Sequence, residues 1–523
     1  MAGILDAHPE YRDTALLDEL RESEYGYLDA QDHVYLDYTG AGLAARAQHR
    51  AHDARLASSV FGNPHSVNPT SAAATQAVEQ ARARILAHLN ASPDEYAVIF
   101  TANATGAARI VGEAYPFGRN SRLVLTADNH NSLNGLREFA RAAGAKTVYI
   151  PSRPADLRAD VANVVAALPQ KKGLLHQLSK AAAGMCLPCS RPDETQNHTP
   201  HPEAKGQPHE PQRPKHAGRN GLFAYPAQSN FSGVRHPLDW VSLAQQRGYD
   251  VLLDAAAYLP TASLDLSAVQ PDFVLASWYK VFGYPTGVGC LVARRPALAR
   301  LRRPWFSGGS ITAVAVGLPL HRMADGSEAF EDGTLNFLAI PDVHFGLDWL
   351  AGLGGPSLVG KRVRCLTAWF LERLHRLRHS DGSAMARVYG PADTRMRGAT
   401  VAFNFIDATG AVVDERLVAL ESSAARISLR TGCFCNPGAG EAAFSLRATD
   451  LRNLFRTRAG AAVIDEVALD SHRGLGVPSV GAVRVSFGLA STAADVDRFL
   501  GFAEKTYKDR VTSSCGLPPR TGC

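Results

Sequence analysis

The sequence lacks any long apolar run: nothing in its 523 residues approaches the ~20 consecutive apolar residues that a membrane helix needs. Its opening residues, Met1-Ala2-Gly3-Ile4-Leu5-Asp6-Ala7-His8-Pro9-Glu10, lack the basic start and apolar centre of a secretory leader. Cysteine is scarce. Eight in so long a chain do not make a disulfide framework, and two of them share a motif that calls for a free thiolate. A reducing, cytoplasmic setting is therefore expected. An excess of one charge sign is missing too. Lys and Arg number 55 against 50 Asp and Glu, and the resulting +5 is spread along the chain, leaving no footprint for nucleic acid or a membrane surface. No internal repeat is present. What remains is an ordinary globular composition, long enough for more than one domain and a large core.

Short apolar runs at 97–100, 123–125, 147–150, 222–225, 251–253, 273–275 and 289–293 read as buried strands, most followed by loops rich in Gly, Ser, Asn or Thr. They alternate with helical stretches such as 71–90. Such alternation predicts an α/β fold: a large domain whose mostly parallel sheet is flanked by helices. After about Pro304 the texture changes. Helical patterns at 343–353 and 361–377 give way to strand-like 399–405 and 482–487, which predicts a smaller α+β domain. The expected organisation is an N-terminal segment 1–30 packing on the small domain, a large domain 31–305, a small domain 306–510 and a flexible tail 511–523. Residues 171–220 are rich in Pro, His, Gln, Lys and Arg and read as a solvated insertion, unable to bury enough surface to fold alone. It contains Cys186 and Cys189, then His198 and His201. That Cys-to-His gap is short for a zinc finger, and no hairpin or helix pattern accompanies it, so no metal is expected.

The chemistry concentrates at strand ends. The run Val251-Leu252-Leu253 ends in Asp254, and Phe273-Val274-Leu275-Ala276 leads into Ser277-Trp278-Tyr279-Lys280 and a Gly-rich turn. Strand-then-Asp followed by strand-then-Ser-x-x-Lys is what pyridoxal 5'-phosphate requires. Its ring nitrogen needs a carboxylate (Asp254), its aldehyde an amine for a Schiff base (Lys280), and its phosphate hydroxyl and amide donors. A surface lysine and a capping aspartate are the plain alternatives, but the flanking aromatics suit a pocket. In Thr101-Ala102-Asn103-Ala104-Thr105-Gly106 a strand passes into a helix whose first amides, at Ala104 and Thr105, form a phosphate cradle with the Thr105 and Ser277 hydroxyls. His130, just past another strand end, is placed to stack on the ring and move protons. Asn230, in Gln228-Ser229-Asn230-Phe231, can hydrogen-bond the cofactor's phenolic oxygen.

A second motif is Leu429-Arg430-Thr431-Gly432-Cys433-Phe434-Cys435-Asn436-Pro437-Gly438. Cysteines in a Gly- and Pro-flanked loop beside an arginine sit in a positive field that favours thiolate. Either Cys433 or Cys435 could reach the cofactor, and a lone Cys-x-Cys is poor for zinc. Arg484, on the strand Val483-Arg484-Val485, would be costly if buried unpaired. With Arg430 it is the candidate to hold a substrate carboxylate. Such a cofactor, clamp and thiol suit removal of sulfur from an amino acid as a persulfide.

These residues resemble the cysteine-desulfurase branch of class V, fold-type I pyridoxal phosphate enzymes, and above all the desulfurase-like domain of molybdenum cofactor sulfurases. The resemblance rests on Val34-Tyr35-Leu36-Asp37-Tyr38-Thr39-Gly40, Asn103-Ala104-Thr105, Tyr225-Pro226-Ala227-Gln228-Ser229-Asn230, Asp254-Ala255-Ala256, the Tyr279–Gly287 run, Phe330-Glu331-Asp332-Gly333-Thr334-Leu335-Asn336, the Arg430–Asn436 motif and Gly481–Gly488. It implies L-cysteine as substrate, alanine as product, and a sulfur acceptor that is molybdenum cofactor or an enzyme carrying it. It also implies that Thr334 reaches the phosphate of a neighbouring subunit, hence a homodimer, and that the last cysteine of the motif, Cys435, carries the persulfide rather than Cys433. The rival expectations are another class V activity (aminotransferase, lyase or epimerase) and a non-catalytic carrier or scaffold.

Overall fold

The computed structural model describes residues 2–64, 66–170, 219–446, 449, 452 and 481–517. The insertion expected at 171–220, with Cys186, Cys189, His198 and His201, therefore lies outside the described residues except for Arg219 and Asn220.

After a two-residue strand β1 (Val34–Tyr35), seven strands build the large sheet: β2 (Tyr96–Thr101), β3 (Arg122–Thr126), β4 (Lys146–Ile150), β5 (Gly221–Pro226), β6 (Tyr249–Asp254), β7 (Phe273–Ser277) and β8 (Gly289–Arg294). Their order is β2-β8-β7-β6-β5-β3-β4. Every pairing is parallel except those of β8, which runs against β2 on one side and β7 on the other. Each apolar run of the sequence lies within one of these strands. β5 and β7 are buried along their whole length, which is why they read as continuous apolar runs rather than alternating ones. Helices cover both faces. Val98, Phe100, Phe223, Val251 and Val274 pack with Val78 and Ile85 of the helix Pro69–His88. On the other face Ile99, Leu125, Leu252 and Leu275 meet Ala107 and Val111 of the helix Ala104–Ala114.

A hairpin, β9 (Ile311–Ala315) and β10 (Leu320–Met323), follows the large sheet. The second sheet is antiparallel, in the order β11-β12-β15-β14, from β11 (Ala386–Tyr389), β12 (Thr400–Phe405), β14 (Arg430–Gly432) and β15 (Ala482–Ser486). The short β13 (Ile427–Ser428) pairs with β1. The core of this second layer gathers Phe370, Phe403, Phe405, Phe487, Phe499 and Tyr507, and Ile4 and Tyr11 from the N-terminal segment join it. The hand-over between the two cores falls later than residue 305. Phe330, Ile340, Val343 and Leu347 pack on the large sheet, and Leu350 is the first buried residue of the helix Ile340–Gly352 to join the second core. Helical periodicity marks an apolar face but not which core that face meets. The described part of the tail is tied at Thr512, whose amide and hydroxyl both donate to Asp407 Oδ2. Among the described residues, no helix is long and apolar enough to cross a membrane.

Candidate active site

All strands of the large sheet but β8 run in one direction, so their carboxyl ends open on the same side, where parallel sheets hold ligands. There a cavity of about 140 Å³ is lined by Lys280, Asp254, His130, Asn230, Thr105 and Ser277, together with Ala104. Residues separated by up to 176 positions in sequence thus meet at one place.

Asp254 is the last residue of β6. Its Oδ1 accepts from the Ala256 amide at 3.0 Å, and Oδ2 has no protein partner among the described residues. Lys280 lies in the short helix Trp278–Phe282 that begins where β7 ends, anchored by Trp278 stacked on Phe282. The chain then turns at Gly283 (φ 78°), where a Cβ would lie 2.2 Å from the Leu43 carbonyl carbon. Only glycine makes that turn against that neighbour. Burial pulls the Lys280 amine below the ordinary lysine value, Asp254 opposes the fall, and Arg484 adds to it.

His130 caps a short helix, and the Ser132 amide donates to its Nδ1 at 3.1 Å. Nδ1 is therefore an acceptor, and the proton of the neutral ring sits on Nε2. Burial first, then the charge of Lys280, hold His130 below the usual imidazole range. At the start of the helix Ala104–Ala114, Asn103 accepts from the Gly106 amide (3.0 Å) and Ser277 Oγ accepts from the Ala104 amide (2.9 Å). The Thr105 amide has no protein acceptor among the described residues, and Thr105 Oγ1 lies 2.7 Å from Ser132 Oγ. This is a concave group of hydroxyls and amides at a helix N-terminus.

Arg484 projects from β15 and is only 3% exposed. Its Nη2 donates to Asp37 Oδ1 (2.9 Å) and its Nη1 to the Asn230 carbonyl (3.0 Å), while Nε is buried with no acceptor. Arg430, like Arg484 and Cys435, does not line the cavity. It is half-exposed and donates to Asp37 Oδ2 through Nε (3.0 Å) and Nη2 (2.6 Å). Asp37 thus joins the two arginines.

Cys435 is a free, half-buried thiol whose charge bears on Lys280, whereas Cys433 is disulfide-bonded. Phe434 (φ 56°) and Cys435 (φ 52°) are consecutive left-handed residues. Each such L-residue costs about 1–2 kcal/mol, so contacts must hold the loop. Those contacts come from Asn131, Asn230 and Asn436. Thr334 is exposed and lies outside the Lys280 cavity. It lines a second one, of about 330 Å³, with Thr101, Gly106 and Asp332.

Asp37, Ser132, Gln228, Tyr279 and Asn436 join the site without a role expected from the sequence. Gln228 and Tyr279 line the Lys280 cavity, and Gln228 is held by Arg235 (3.0 Å) and the Ala257 carbonyl (2.8 Å). Asp37, Gln228, Tyr279 and Asn436 did stand inside the motifs that carried the resemblance. The donor set fits pyridoxal phosphate in kind: an amine, a carboxylate with a free oxygen, an imidazole with a fixed tautomer, and one unpaired amide, that of Thr105, at a helix start.

The two-layer arrangement, with a large mostly parallel sheet and a smaller antiparallel one, is the fold of the fold-type I pyridoxal phosphate enzymes. A cysteine desulfurase from Thermococcus onnurineus shares it with a TM-score of 0.69 at 20% identity, covering 94% of this chain and 97% of that one. A cysteine desulfurase from Escherichia coli does so with a TM-score of 0.64 at 19% identity, covering 94% and 98%. The class-V aminotransferase family matches residues 34–188 and 203–499, and the chain belongs to it. Among curated relatives, the molybdenum cofactor sulfurase of Solanum lycopersicum is 33% identical over 97% of this chain and 59% of its own length. That of Bos taurus is 34% identical over 96% and 53%. The chain spans a little over half the length of these relatives.

Proposed function

We propose that this chain removes sulfur from L-cysteine with the help of pyridoxal phosphate, releases alanine, and holds the sulfur as a persulfide on Cys435. The acceptor would be molybdenum cofactor or an enzyme that carries it, in keeping with the names of the curated relatives. One observation carries the reading: a buried lysine and a strand-end carboxylate line one cavity, and a free loop thiol outside its lining bears electrostatically on that lysine. The protein works in the cytoplasm as a homodimer, in which Thr334 serves the site of a second copy.

Lys280 would hold the cofactor, Asp254 its ring nitrogen, Asn230 its phenolic oxygen, His130 the face of its ring, and Ala104, Thr105 and Ser277 its phosphate. Bound there, pyridoxal phosphate supplies an electron sink for the substrate's Cα. The remaining work belongs to the protein. A lysine less basic than usual has more neutral amine at neutral pH, both to attack a carbonyl and to move the proton on the substrate Cα. Arg484, with a buried Nε left over, receives the substrate carboxylate. Neutral His130 offers its Nε2 proton. Cys435 Sγ then attacks the substrate Sγ. The new S–S bond forms as the substrate Cβ–Sγ bond breaks, the bonding pair stays on Cβ, and protonation there gives alanine. Cysteine plus thiol becomes alanine plus persulfide, so no outside oxidant enters.

The test is sulfur transfer from labelled cysteine with wild type, Cys435→Ala and Cys433→Ala. Label bound to protein and alanine release should disappear with Cys435→Ala and survive Cys433→Ala. Persistent transamination or racemisation of amino acids in Cys435→Ala, with no sulfur uptake by wild type, would favour a different class V reaction.

A further inference from the structure

The loop that bears Cys435 is docked against the exit of β3 by a set of contacts that centre on Asn436. This residue is completely buried. Its Nδ2 spends both hydrogens, one on the Asp128 carbonyl (2.7 Å) and one on Asn230 Oδ1 (2.9 Å). Its Oδ1 accepts from the Ala439 amide (3.2 Å), capping the short helix Pro437–Ala443. Asn230 answers by donating Nδ2 to the Phe434 carbonyl at 2.8 Å, and the Asn131 amide donates to the Cys435 carbonyl at 2.7 Å. Gly438 completes the seat, because a Cβ there would stand 2.1 Å from the Ala127 carbonyl oxygen. Phe434 fills the gap between Phe231, at 5.2 Å between rings, and the guanidinium of Arg484, at 4.8 Å. All this holds two consecutive residues in a backbone region they would not choose alone.

We propose that Asn436 is a positioning residue. Through its two donated hydrogen bonds it latches the Cys435 loop to the cofactor-side loops at Asp128 and Asn230, and breaking those bonds frees the Cys435 loop from that seat. The proposal deepens the reading of Cys435 as the sulfur carrier and rests on it. A thiol that must collect sulfur beside Lys280 and pass it to a large acceptor needs two positions. A latch of two neutral hydrogen bonds is weak enough to open. Asn230 is the shared part: it holds the loop with one amide hydrogen and keeps the other without a partner among the described residues. Whatever engages that second hydrogen also fixes the group that seats the loop.

Asn436→Asp separates latch from cap. A carboxylate still accepts from the Ala439 amide but donates nothing to Asp128 or Asn230. The readout is the rate of Cys435 alkylation by iodoacetamide in reduced, full-length protein without cofactor, measured by peptide mass spectrometry against exposed Cys515 as internal reference. Losing two neutral hydrogen bonds should speed Cys435 about tenfold, with buried Cys290 and Cys365 still protected. Gly438→Ala, which crowds the docking face instead, should act the same way and answers for Asn436→Asp if that variant exposes Cys290. Cofactor absorbance on titration with pyridoxal phosphate, read separately, should be retained in both. An unchanged Cys435 rate in a folded Asn436→Asp protein would reduce Asn436 to a helix cap and overturn the latch. A wild type that binds no pyridoxal phosphate would instead overturn the functional reading and leave the alkylation result to stand alone.

Discussion

Replacing Asp37 by alanine takes one carboxylate from two guanidinium groups. The Arg430 side chain is 52% exposed, and a pair of that kind is worth about 1 kcal/mol or less. Arg484 is different. It is buried, burial already lowers its affinity for a proton, and among the described residues Asp37 is the only carboxylate it touches. Arg430, of like charge, adds to the strain once Asp37 is gone. Removing one partner of a buried ion pair costs about 3–5 kcal/mol, because the other charge is left without compensation. The hydrogen bond from Nη1 to Asn230 remains, so the low end applies, and Asp37→Ala should lose about 3 kcal/mol in urea-induced unfolding of the cofactor-free protein. Asp37→Asn, which keeps an oxygen but no charge, should fall between. A free amino acid should stabilise Asp37→Ala more than wild type, since its carboxylate restores the missing charge. A loss under about 1 kcal/mol would refute the claim that Asp37 holds a buried Arg484, and would class it with exposed pairs.

Thiol reactivity should divide by burial: Cys290, its thiol pushed up to about 12 by burial, and Cys365, at about 11, resist iodoacetamide at pH 8 while Cys435 and Cys515 react. Peptide mapping checks this, and early labelling of Cys290 would contradict the packing of β8. Trapping of pyridoxal at Lys280 should rise with pH as the amine loses its proton and level off at a midpoint below that of an exposed lysine. In Asp254→Asn that midpoint should move lower still, because the charge that favours the protonated amine is gone. Gly283→Ala places a Cβ into the backbone of Leu43 and Ala44 at a positive φ, so it should cost about 1–3 kcal/mol and lower the absorbance of bound cofactor.

Apart from the partly exposed edge strand β4, the strands of the large sheet were legible because they are buried on both faces, as β5 and β7 show, and the residues that line the Lys280 cavity stood at their ends. Four features were not. β8 runs antiparallel, yet its residues are as apolar as those of its parallel neighbours, and direction leaves no trace in composition. The helix Ile340–Gly352 faces the large core first and the small one only at its end, through Trp349 and Leu350, a division that periodicity does not encode. Arg430 was expected at the substrate, but Asp37, almost 400 positions away in sequence, takes its donors. Asn436 had no signal of its own: an asparagine before Pro437 reads as a helix cap, and only the folded chain shows where its two hydrogens go.

The most direct measurement is borohydride reduction of the protein after incubation with pyridoxal phosphate, followed by peptide mapping. A phosphopyridoxyl group should appear on the peptide that carries Lys280 and vanish in Lys280→Ala. Modification scattered over other lysines, with Lys280 unmodified, would contradict the assignment of this pocket.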